Sequence, residues 1–278
     1  MGASGLLGAT LARTFAAQGA ELFTPSHQQA DVVDLAALDR FVEQAQPDVL
    51  INCAAEAHVD IAETDTDRVF RVNALGPQNA AVVAAKHRCE LVQISSDYVF
   101  DGETDRPYRE YDPTGTPASQ YGRSKLLAEQ LVREACQRHY ILRVAALFGH
   151  GRQTFVDWVL AKASPQQPLR IVCDRQISPT WTNDIAEQTV AMLELGVHGT
   201  YHCSGDGVTT WYEFASAALA LAGKNAAGVV AVPDAELQLG GAPRPRYSAL
   251  DNYLFKLREI DRVKHWRDGL AHYLRAIV

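Results

Sequence analysis

Apolar positions along the chain fall into two alternating rhythms. Short runs that are largely apolar at consecutive positions, AELFT (20–24), ADVV (30–33), DVLINC (48–53), ELVQIS (90–95) and YILRVAAL (140–147), read as strands. Between them lie longer stretches in helical rhythm, predicting helices at Leu6–Ala17, Leu35–Ala45, Thr66–Ala85 and Ser119–Gln137. Strands without polar alternation suit a parallel sheet covered by helices on both faces. The expected fold class is therefore α/β with a doubly wound parallel sheet. Beyond Gly149 the rhythm loosens into a helix at Thr154–Ala163, a strand at 169–173, a helix at Asn183–Leu195, a strand at 199–203 and a helix at Trp211–Leu221. A Pro-rich GGAPRPRYS (240–248) and a terminal helix ending in YLRAIV follow. This predicts a core over 1–149, packed with 181–204, and a smaller C-terminal α/β substrate region made of 150–180 and 205–278.

The opening MGASGLLGAT spaces Gly2, Gly5 and Gly8 as in the glycine turn of a Rossmann dinucleotide site, where backbone amides and the following helix start face a pyrophosphate. Such a turn follows a strand, yet one residue precedes Gly2. A central strand with four buried aliphatic side chains is worth about 6–12 kcal/mol, against about 5–15 kcal/mol for a whole domain. We therefore expect Met1 to occupy the position just before the turn in a longer natural chain. An empty strand lane is expected between the strands beginning near Ala20 and Asp48.

Composition narrows the function. With 278 residues, 47% of them hydrophobic, the chain can fill a large core, and no apolar stretch is long enough to cross a membrane. A net charge of −7 argues against a nucleic-acid surface. The five cysteines are odd in number and scattered, which predicts structural thiols, no metal site and a cytoplasmic setting.

Two local patterns carry chemistry. In YGRSK, Tyr121 and Lys125 are four apart on one helical face, and an ammonium beside a phenol favours the phenolate. In ISSDYVFDG (94–102) a strand ends at Ser96, either a cap or a hydrogen-bond donor to a substrate carbonyl.

Together with INCAAEAHVDIAE (51–63), RVNALGPQNAA (71–81), CDRQISPTWTNDIA (173–186), GTYHCSGDGVTTWYEFA (199–215) and APRPRYSALDN (242–252), these motifs resemble the extended short-chain dehydrogenase/reductase family. Within it they are most similar to the dTDP-4-dehydrorhamnose reductase branch. The resemblance implies NADPH-dependent reduction of a 4-keto nucleotide-diphospho-sugar, most closely dTDP-4-dehydro-rhamnose to dTDP-rhamnose. It makes Tyr121 the general acid, Lys125 the group that lowers its pKa and holds the nicotinamide ribose, Ser96 the carbonyl donor, and Asn73 the fourth member of the catalytic set. The cofactor would lie along Gly2, Ser4, Gly5, Leu6, Leu7 and Gly8, with Ser26, Asp31 and Val32 near the adenosine half and Cys53, Ala54 and Ala55 near the ribose. The first strand candidate runs into Thr24-Pro25-Ser26-His27, with no acidic residue to hold ribose hydroxyls, which favours NADPH while leaving NADH open. Ser96, Asp97, Val99, Phe100, Arg152, Phe155, Arg175, Gln176 and Trp211 would hold the substrate, with Trp211 equally readable as a core anchor. Mg²⁺ and a homodimer are implied by resemblance alone. A relative of this fold, the methionine adenosyltransferase β subunit, sets the alternative: a non-catalytic, dinucleotide-binding regulatory subunit.

Overall fold

Strands β1 (Val49–Asn52), β2 (Glu90–Ser96), β3 (His139–Val144) and Gly199–His202 pair in parallel, in that order, in a computed structural model that describes residues 1–237 and 241–276. On one face, Leu7 and Leu11 of α1 (Leu6–Ala17) and Ile185 and Met192 of the Thr182–Leu195 helix pack on Val92, Ile94, Tyr140 and Leu142. On the other, Leu38 and Val42 of α2 (Leu35–Ala45) and Ala80 and Ala84 of the Gly76–His87 helix meet Leu50, Leu91 and Ile141. Each strand thus buries both faces, which is why its apolar residues run consecutively. The Gly199–His202 strand closes the sheet beside β3, and the Thr182–Leu195 helix lies against α1. None of the described helices is long and apolar enough to cross a membrane.

The structure departs from the sequence pattern in several places. Residues 20–24 form no strand. The backbone of Glu21–Thr24 makes no hydrogen bond among the described residues, and Leu22 and Phe23 are 39% and 45% exposed. A β-run becomes a strand only beside a partner, and none lies between this segment and β1. Residues 30–33 turn instead of pairing: the Asp31 carboxylate accepts from Val33 N at 3.0 Å, and Asp34 caps α2 by accepting from Ala37 N at 2.9 Å. The 140–147 strand stops at Val144 because Ala146 takes a positive φ of 43°, and Leu147–Phe148 pair instead with Thr180–Trp181. The 66–85 helix is interrupted by a π turn at Arg71–Leu75, and a short helix, Val59–Thr64, arises where none was expected. The terminal helix is Trp266–Arg275; residues 238–240, 277 and 278, which include Gly240 of the Pro-rich segment and the last two of YLRAIV, lie outside the described residues.

The expected lane is present as a groove. Between β1 and residues 20–25 lies a cavity of about 440 Å³, walled by α1 and α2. Met1 stands at its end: its ammonium donates to the Ile51 carbonyl at 2.6 Å, and Cys53 N donates to the Met1 carbonyl at 3.2 Å.

The Gln120–Ala135 helix is locked to the sheet by a buried ion pair. Glu129, fully buried, accepts from Arg143 Nε and Nη2 of β3 at 2.8 Å each and from Ser95 Oγ of β2 at 2.7 Å. These donors, the Arg143 guanidinium above all, outweigh burial and hold the Glu129 carboxyl down at about 2. Because the folded value is depressed, this stabilisation is present above the ordinary carboxylate range and is lost as pH falls towards 2. Glu129→Gln strands a buried guanidinium, so it should destabilise by about 3–5 kcal/mol. Denaturant midpoints of the two proteins at neutral pH and at pH near 3 check this, since the gap between them must narrow in acid.

Candidate active site

The site forms where β2 ends and the Gln120–Ala135 helix begins. Ser96 closes β2, and its Oγ accepts from Tyr98 N at 3.2 Å while donating to Asp97 Oδ1 at 2.8 Å. Ser119 caps the helix by accepting from Gly122 N at 3.1 Å, which places Tyr121 in the first turn and Lys125 one turn on. The close approach depends on Gly122, whose Cβ would collide with the Tyr98 carbonyl oxygen. Tyr121 therefore meets Tyr98 edge to face, with ring centres 5.7 Å apart, and turns its hydroxyl to Ser96.

Electrostatics here are dominated by burial. It pushes the Tyr121 phenol up to about 12, and Asp97 adds to this while Ser96 opposes it. Lys125 is not among the groups acting on Tyr121, so the phenol keeps its proton in this state, against the expectation of a lowered pKa. Burial pulls the Lys125 ammonium down to about 8, and its Nζ donates to the Ile94 carbonyl at 2.7 Å. Asp97, buried beneath the hydroxyls of Ser96 and Ser248, is pushed up to about 6. Ser248 was not singled out from the sequence. It lies in the APRPRYSALDN block, whose position in the chain gives no sign that it reaches β2.

Other expected residues are dispersed. Asn73 is fully buried in the π turn, where it accepts from Glu56 N at 2.8 Å and donates to the Glu56 carbonyl at 3.0 Å and to Ser124 Oγ at 3.3 Å. It braces the helix beside Lys125 and makes no hydrogen bond to Tyr121 or Lys125. Val99 and Phe100 turn into the core, with Phe100 stacked on Tyr108 at 4.0 Å, so neither faces a substrate. Phe155 and Trp211 pack together at 4.7 Å in the C-terminal aromatic cluster. Arg152 lines a separate open hollow with Gly149, Asp157 and Tyr273. Arg175 pairs with Asp234 and keeps a buried Nε without a partner, while Gln176 ties its strand to the 246–248 segment through backbone bonds.

The glycine turn has the shape of an anion cradle. Gly5 N donates to the Gly2 carbonyl at 3.0 Å, and Gly5 begins α1 with no capping side chain, so no side chain covers the first amides of α1. A Cβ at Gly8 would strike the Gly2 carbonyl oxygen. Leu7 turns inward to the sheet, as does Cys53, whose buried thiol is pushed up to about 11, while Val32 packs against Gly76 of the Gly76–His87 helix. Ser4 is exposed, Ala54 N donates to Asn52 Oδ1 at 3.1 Å beside Ala55, and Ser26 donates through N and Oγ to Gln29. These residues fit a dinucleotide pyrophosphate.

The profile of the family described as "RmlD substrate binding domain" matches residues 1–278. The chain belongs to this family. Over 283 aligned residues it is 35% identical to a dTDP-4-dehydrorhamnose reductase of Streptomyces griseus, covering 99% of this chain and 92% of that one. Its fold matches the crystal structure of a dTDP-4-dehydrorhamnose reductase of Clostridium acetobutylicum with a TM-score of 0.93 and 34% identity, covering 99% and 97% of the two chains. A dTDP-4-dehydrorhamnose reductase of Bacillus anthracis, solved in complex with NADP, superposes with a TM-score of 0.92 at 29% identity, covering 99% and 96%. RmlD-family membership and the α/β fold thus agree with the sequence reading. Among the described residues, no three of His, Cys, Asp or Glu gather as a metal site.

Proposed function

We propose that this RmlD-family protein reduces the 4-keto group of dTDP-4-dehydro-rhamnose, giving dTDP-rhamnose, with NADPH as reductant. The observation that carries this is the buried, protonated Tyr121 phenol against Ser96 at the end of β2, in a chain that also holds an uncapped glycine cradle. A regulatory subunit has no need of a proton donor held in register with a carbonyl-binding hydroxyl, so the enzyme reading is favoured.

The residues divide the work by their chemistry. The first amides of α1 hold the pyrophosphate of NADPH, and the bound nicotinamide supplies hydride. Tyr121, which keeps its proton because burial raises its pKa, donates that proton to the carbonyl oxygen as negative charge develops there. Ser96 directs its hydroxyl to the same oxygen. Lys125, whose Nζ donates to the Ile94 carbonyl at 2.7 Å, is the residue that would hold the cofactor ribose. Arg175, whose buried Nε lacks a hydrogen-bond partner among the described residues, is the donor assigned to the diphosphate of the substrate.

Purified protein mixed with NADPH and dTDP-4-dehydro-rhamnose should lose nicotinamide absorbance, faster than with UDP- or GDP-linked 4-keto sugars. Cofactor binding without turnover of any 4-keto nucleotide sugar overturns the reading.

A further inference from the structure

The backbone of β2 loses its strand partner at Ile94. Glu90 N donates to the Asp48 carbonyl at 2.9 Å, so by the parity of a parallel ladder residues 90, 92 and 94 turn their backbone groups towards β1. β1 ends at Asn52, which lies opposite Gln93. The next donor due on that edge, Ala54 N, turns back instead to Asn52 Oδ1 at 3.1 Å. The Ile94 carbonyl is thus left without a strand donor, and two side chains take it: Lys125 Nζ at 2.7 Å and Gln93 Nε2 at 2.8 Å.

Gln93 is itself held, because Asn52 Nδ2 donates to its Oε1 at 2.8 Å. The direction of this chain is fixed at its far end. A backbone amide can only donate, so Asn52 must present its oxygen to Ala54 N and its NH2 to Gln93, and Gln93 in turn presents its NH2 to Ile94. Asn52 and Gln93 are both buried, so neither can exchange these partners for water. A carbonyl oxygen has two lone pairs, and Gln93 fills one of them. The Lys125 ammonium, three donors on a flexible four-carbon stem, is left a single place on Ile94.

We propose that Gln93 is a positioning residue for Lys125: by holding one side of the Ile94 carbonyl it fixes where the ammonium sits, and through Asn52 it registers that ammonium to residues 53–55. This role rests on the reading of Lys125 as the holder of the cofactor ribose. Gln93 touches neither cofactor nor substrate. It acts on NADPH affinity through Lys125 alone, unlike a residue that merely fills the sheet.

The test is a double-mutant cycle read as the Kd for NADPH, by fluorescence titration without keto sugar. Lys125→Met should weaken binding by itself. Gln93→Leu removes the second donor and should weaken binding by about tenfold in the parent protein, but by less than about twofold in the Lys125→Met background. Asn52→Asp reaches the same carbonyl without touching Gln93 and serves where Gln93→Leu fails to fold. It keeps an acceptor for Ala54 N and offers a second oxygen to Gln93, whose amide must turn over and point its own oxygen at Ile94. It should give the same pattern as Gln93→Leu. Equal losses in both backgrounds, or no loss in either, overturn the proposal. An unchanged Kd in Lys125→Met alone overturns it together with the assignment of Lys125. Turnover does not enter the cycle, so a failure to reduce keto sugars would count against the reductase reading only.

Discussion

Tyr121→Phe should lower kcat for keto-sugar reduction by about 10²–10⁴-fold, the worth of a positioned general acid, with KM and cofactor affinity little changed. The substitution removes one oxygen and keeps the ring that packs edge to face on Tyr98. Ser96 still has Asp97 as acceptor and Tyr98 N as donor, so no polar group of the serine is left unpaired. The fold should therefore survive, with Tm near that of the parent protein. Single-turnover measurement of NADPH oxidation separates this chemical loss from any change in binding. A kcat within about tenfold of the parent would remove Tyr121 from its assigned role.

Reduction should also slow as pH rises through about 6, and Asp97 is the reason. Its carboxyl is pushed up to about 6 by burial, with the hydroxyls of Ser96 and Ser248 and the backbone amide of Tyr98 opposing the shift. The Tyr121 phenol also feels it, and the guanidiniums of Arg244 and Arg175 act on neighbouring Tyr98. When Asp97 is ionised, Ser96 gives its only proton to Asp97, and the serine oxygen draws the Tyr121 hydroxyl away from a substrate. When Asp97 is protonated it can donate to Ser96, which frees the serine and phenol protons to turn towards a carbonyl. The protonated form is thus the productive one, so kcat/KM is high below about pH 6 and falls by up to about tenfold per unit above it. Asp97→Asn retains a donor that does not titrate, so its profile should be flat over the same range. Profiles of kcat/KM between about pH 5 and 8 for the two proteins decide the matter. An identical falling limb in both would clear Asp97 of any part in it.

How much of this was legible in the chain follows from how far each signal reaches. The boundaries of α1, α2 and the Trp211–Leu221 helix match the sequence pattern residue for residue, because apolar periodicity is written within each element. The YGRSK spacing places Tyr121 and Lys125 on one helical face, since a helix brings residues four apart together whatever surrounds it. Residues 20–24 have the composition of a strand and stay unpaired, because a strand is completed by a neighbour that the run itself does not encode.

The sequence by itself determined the α/β class and the glycine turn, and it singled out Tyr121, Lys125, Ser96 and Asn73 as the candidate catalytic set. Tertiary structure alone decided that Asp97, Ser96 and Ser248 converge, that burial raises the Tyr121 phenol where a neighbouring ammonium was expected to lower it, and that Val99 and Phe100 serve the core. Periodicity and propensity act between residues a few positions apart. Burial and strand pairing depend on what distant segments bring to the same place, and those two set the acidities and the open groove beside β1.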